Sequence, residues 1–69
     1  MSKQTKAIER LIEELLKYHR EMSTDRIVDH IIMDIGDGNI EDLIRRVIES
    51  MADRMQIIET PRGKWRLNT

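Results

Sequence analysis

Cysteine is absent from this 69-residue chain. That one absence excludes a disulfide framework, a thiolate zinc site and a cysteine nucleophile. Phenylalanine is absent too, and Trp65 and Tyr18 are the only aromatic residues. With so few large rings, Trp65 reads as a core residue rather than a base-stacking platform. Proline occurs once and glycine three times, and no linker or low-complexity stretch separates one part of the chain from another. No apolar run approaches the roughly 20 residues that cross a bilayer, so no membrane contact is expected. The stretch from Met1 to Lys6 is polar and lacks the apolar core of a secretory signal. The expectation is an intracellular, cytoplasmic protein.

Charge is plentiful and unevenly placed. The net value of −1 conceals two basic ends and an acidic middle. Residues 1–20 carry five basic and three acidic side chains, residues 21–53 three and nine, and residues 54–69 four and one. A protein that coats nucleic acid without selectivity is usually basic throughout, so any nucleic-acid contact here has to be local. The apolar residues are dominated by isoleucine, eleven of them, and they suffice for one small core. A chain this short buries roughly 60% of its unfolded surface and sits near the lower limit for folding alone. One domain spanning residues 1–69 is expected.

Gly36-Asp37-Gly38-Asn39 and Thr60-Pro61-Arg62-Gly63 punctuate the chain. Before the first, Ile8, Leu11, Ile12, Leu15 and Leu16 recur at helical spacing, as do Ile27, Val28, Ile31, Ile32 and Ile35. These stripes predict helices at about 3–21 and 24–35. Ser23 or Thr24 would cap the second, and Gly36 would end it in a left-handed conformation. Between the two turn segments, Ile40, Leu43, Ile44, Val47, Ile48, Met51, Ala52 and Met55 make a broad stripe. It predicts a third helix at about 40–54, capped by Asn39, with Met51 and Met55 in the core. Lys64-Trp65-Arg66-Leu67 alternates polar and apolar, the period of a half-buried strand. With Gln56-Ile57-Ile58-Glu59 across a Pro-Arg-Gly turn it predicts a hairpin at about 56–67. The fold class is therefore mostly α with a C-terminal β-hairpin.

Three helices, the last two joined by a short turn, followed by a charged hairpin, resemble a winged helix–turn–helix domain. The resemblance covers Lys6 to Leu67. Its closest part is the third helix, then Met55-Gln56-Ile57-Ile58, then Arg62-Gly63-Lys64-Trp65-Arg66-Leu67. Met22 to Val28 is similar to the short segment and second helix of that family, and the whole is weakly similar to its HARE-HTH variety. The resemblance implies a transcriptional regulator whose third helix enters duplex DNA and whose wing touches the backbone or minor groove. Carried onto this chain, it implies DNA contacts from Asn39, Arg45, Arg46 and Ser50 on helix three and from Arg62, Lys64 and Arg66 in the wing. A homodimer through helix one would extend such a short site.

A second reading uses the acidic middle. The exposed positions of helix three include Glu41, Asp42, Glu49 and Asp53 beside Arg45, Arg46 and Arg54. Residues 21–53 could then face a basic protein partner, such as RNA polymerase or another part of the transcription machinery, without reading DNA. Chemistry of other kinds has little support. The chain has no G-x-S-x-G, no phosphate-binding loop and no H-E-x-x-H, so no enzyme and no cofactor is expected. His19, His30 and Asp34 fall short of a metal ligand set. Asp34, Asp37, Asn39 and Glu41 do not follow calcium-loop spacing.

Overall fold

The computed structural model describes residues 3–69. Helix α1 (Lys3–His19) is followed by a two-residue strand β1 (Glu21–Met22), helix α2 (Thr24–Ile35) and a 3-10 turn (Gly38–Ile40). Helix α3 (Glu41–Asp53) then leads to strands β2 (Ile57–Glu59) and β3 (Trp65–Leu67). The molecule is mostly helical with a C-terminal antiparallel hairpin, an order compatible with three helices and a wing.

The helices form because their apolar stripes converge on one core. Ile8, Ile12 and Leu16 from α1, Ile27, Val28 and Ile31 from α2, and Ile44, Val47, Ile48 and Met51 from α3 are all buried. Met22 and Ile57 close the core from the sheet side. Burying each such side chain contributes roughly 1.5–3 kcal/mol before entropy is charged against it. The caps follow local chemistry. Ser23 Oγ accepts from Arg26 N, capping α2, and such a cap contributes about 1 kcal/mol. Gly36 ends α2 at φ 79°, donating its N–H to the Ile32 carbonyl at 2.7 Å.

Four expectations need correction. Helix α1 stops at His19, not residue 21, because Arg20 turns into the left-handed region (φ 69°) and releases Glu21–Met22 as a strand. That strand lies outside the predicted hairpin: it pairs antiparallel with β3 (Glu21 opposite Arg66, Met22 opposite Trp65), giving a sheet of order β1-β3-β2. Asn39 does not cap α3. It lies inside the 3-10 turn, where its N–H donates to Asp37 Oδ1 at 2.9 Å, while Ile40 occupies the α3 cap position without a side-chain bond. Met55 is 62% exposed rather than core. The helix ends at Asp53, and Met55 takes φ 61° as its N–H reaches the Ala52 carbonyl and Gln56 N the Met51 carbonyl. The reversal carries its side chain off the apolar stripe.

A left-handed backbone disfavours any side chain with a Cβ, and Met55 recovers little by burial. Met55→Gly is therefore expected to raise stability by about 0.5–1 kcal/mol, the relief of strain exceeding the entropy of a freer unfolded chain. Urea unfolding followed by circular dichroism measures it, and a loss of stability would refute the strain.

The hairpin turn is held by Thr60. Its backbone N–H donates to the Lys64 carbonyl at 2.6 Å, its carbonyl accepts from Gly63 N at 2.9 Å, and its Oγ1 accepts from both Arg62 N and Lys64 N. Gly63 takes φ 75°, the left-handed residue that the turn sequence anticipates.

Candidate nucleic-acid interface

The first turn of α2 organises the surface to which the candidate residues belong. Ser23, the cap, and the three residues after it make distinct contacts. Ser23 caps the helix. Thr24 Oγ1 accepts from Trp65 Nε1 of β3 at 2.9 Å. Asp25 pairs with Arg45 of α3 at 3.1 Å. Arg26 lines a shallow hollow with Lys64, His19, Glu21, Met22 and Ser23. The helix starts here because Ser23 can satisfy a free N–H, and β1 delivers it to the hairpin by pairing with β3. The helix N-terminus adds a partial positive charge to the side chains of Arg26 and Lys64.

The sequence-nominated residues separate into three groups. Arg45 is committed to carboxylates: it bridges Asp25 and Glu41, the latter at 3.0 Å. The hydrogen bonds it donates to Asp25, then to Glu41, push its already high pKa further up, so it stays charged at any ordinary pH. Arg62 at the hairpin tip pairs with Glu21 of β1 at 3.1 Å. Lys64 and Arg66 form no ion pair among the described residues. Arg66 stands on the outer sheet face opposite Glu21 and Ile58, in a hollow shared with Lys17, Arg20 and Leu67.

Asn39, Arg46 and Ser50 lie apart from that turn. Arg46 is exposed and donates from Nε to the Asp42 carbonyl at 3.4 Å. Helical spacing puts it on one outward ridge with Asp42, Glu49 and Asp53, all of them exposed. Ser50 points about 140° round the helix from Arg45 by the same 100° step per residue. Its carbonyl accepts from Arg54 Nε at 3.3 Å, and Arg54 pairs with Glu9 of α1. Helix three thus has an acidic crest, a flank tied to α2 and a flank tied to α1.

Sequence reasoning passed over Lys17, Arg20 and Arg26. They lie about 40 residues before the hairpin cations, and only β1–β3 pairing brings them alongside. The one available signal was the run Ser-Thr-Asp-Arg, read as capping chemistry and as part of the stretch similar to a winged-helix second helix, not as a cation site. His19 and His30 do meet, with ring centroids 5.4 Å apart. Among the described residues no group of three or more His, Asp or Glu is placed to hold a metal ion, and no helix is long and apolar enough to cross a membrane.

Fold and site together define a class: a three-helix domain closed by a three-stranded sheet, with cations gathered at the hairpin and the start of α2. No family model, curated protein or solved structure matches this chain.

Proposed function

We propose that this protein is a small winged-helix DNA-binding protein, acting inside the cell as a transcriptional regulator. The observation that carries the reading is the hollow that Arg26 at the start of α2 and Lys64 of the hairpin line together, beside Glu21. An amide-rich helix start flanked by two cations suits a phosphate of the duplex backbone. Arg66, Arg20 and Lys17 continue the positive surface across the sheet, and Arg62 stands at the tip. Arg45, Arg46 and Ser50 are the helix-three contacts of this reading, and Asn39 joins them from the 3-10 turn before that helix. Backbone contacts dominate it, because Asp42, Glu49 and Asp53 crowd the crest of α3 and repel phosphates.

The second reading rests on that same crest. A winged-helix module that docks on RNA polymerase or other transcription machinery would turn the acidic ridge toward a basic protein surface. One experiment separates the two. Backbone amides are followed by NMR while a mixed-sequence duplex is added at low and then near-physiological salt. The DNA reading expects shifts at 23–26 and 62–66 that fade as salt rises, since counterion release drives the binding. Absence of shifts at low salt overturns it and leaves the ridge as the surface to pursue.

A further inference from the structure

Helix α1 carries a row of cations that the winged-helix resemblance does not use. Lys3, Arg10 and Lys17 recur every seven residues, and seven helical steps of about 100° bring each within about 20° of the one before. Lys6 stands about 40° to one side of Arg10 by the same count. All four are exposed, and none enters an ion pair among the described residues. Two acids flank the row, Glu14 about 40° to the other side of Arg10 and Glu13 about 60° away beyond Lys6. Counted with them, this face of α1 is still net positive. The row does not end with the helix. Lys17 shares a hollow with Arg20, Glu21 and Arg66, and Glu21 is already paired with Arg62 at 3.1 Å. Glu21 also lines the hollow of Arg26 and Lys64, so the row on α1 and the start of α2 adjoin across β1.

We propose that this row is a further DNA contact: the backbone of a duplex lies along α1 and runs on to the cations of the sheet. The inference rests on the DNA reading above and deepens it, because it gives α1 the lengthwise contact that the acidic crest of α3 opposes. The spacing selects the occupant. Lys3 and Lys17 are roughly 21 Å apart along the helix at about 1.5 Å per residue. Over that length a duplex presents about 12 phosphate charges, one per ~1.7 Å. A small anion would reach one or two of these cations, whereas a polyanion meets the whole row. An acidic protein surface is extended as well, but the row leads directly to Arg66 and adjoins Lys64, the cations that the DNA reading already uses. Asp42, Glu49 and Asp53 surround Arg46 on α3, and no comparable density of acid interrupts the row on α1.

Fluorescence anisotropy with a labelled mixed-sequence duplex of about 20 base pairs, at several salt concentrations, tests it. Lys3→Gln, Arg10→Gln and Lys17→Gln together remove the charge of the row without reversing it. Glutamine is a good helix former, and circular dichroism checks that the triple variant folds. That variant is expected to lose roughly 30-fold in affinity at ~50 mM salt, and its slope of log affinity against log salt is expected to fall by about 3. Arg10→Gln alone is expected to lower the slope by about 1, a single change that leaves the rest of the row in place. A wild type that binds the duplex while the triple variant keeps the same slope overturns the proposal and leaves the hairpin contacts standing. A wild type that does not bind the duplex at ~50 mM salt overturns the DNA reading and this proposal together.

Discussion

Trp65→Ala is expected to cost about 3 kcal/mol, toward the lower end for removing a tryptophan because this ring is only partly buried. A single core of this size rarely supplies more than about 3–5 kcal/mol in total, so the variant should be largely unfolded at physiological temperature. The cost has two sources, and a second variant divides them. Trp65→Phe keeps most of the packing against the core and loses the Nε1 bond to Thr24. Thr24 is only half-buried and regains water, so that bond is expected to contribute about 1 kcal/mol. Urea midpoints for both variants check the division. A loss below about 1 kcal/mol for Trp65→Ala would mean that the hairpin is not held by its ring.

Lys64→Glu combined with Arg66→Glu is expected to lower affinity for duplex DNA roughly 30-fold at ~50 mM salt, with a smaller loss at ~200 mM. Both side chains are exposed and form no ion pair among the described residues, so no native ion pair is lost, but a carboxylate at position 66 would stand opposite Glu21, and circular dichroism has to show that the variant folds. If each cation contacts one phosphate, the slope of log affinity against log salt should fall by about 2. Fluorescence anisotropy with a labelled duplex at several salt concentrations measures both quantities. Unchanged affinity and slope would remove the hairpin from the interface. Arg45→Ala makes a useful contrast. Its partners are Asp25 and Glu41, so its loss frees two carboxylates, one of them next to Arg26 in the chain, as well as removing a cation. A drop in affinity from that variant alone would not identify a direct contact.

Most of the interior was legible in the sequence, although Ile35, on the second stripe, is 42% exposed at the end of its helix. Ile8, Ile12 and Leu16, or Ile44, Val47, Ile48 and Met51, are fixed by helical period, a property of neighbouring residues that needs no knowledge of partners. The caps Ser23 and Gly36 and the Thr60–Gly63 turn were legible for the same reason: each is decided within four or five residues. Met55 and Asn39 were misplaced because the chain reverses at one and tightens into a 3-10 turn at the other. Neither change leaves a mark on apolar spacing.

The candidate surface was legible only in part. Lys64 and Arg66 stand out as hairpin cations, but a two-residue strand such as β1 has no periodicity to read. Its pairing with β3 spans more than 40 residues of sequence and sets Arg20 and Arg26 beside them. The partners of the arginines were equally hidden, since Arg45–Asp25, Arg54–Glu9 and Arg62–Glu21 all join separate elements. The sequence by itself determined three amphipathic helices, a charged hairpin and the membership of one aliphatic core, because local period and turn chemistry decide those. Tertiary structure alone decided which cations are neutralised, which stay free at the start of α2, and which face of α1 remains open, because each depends on how the elements dock.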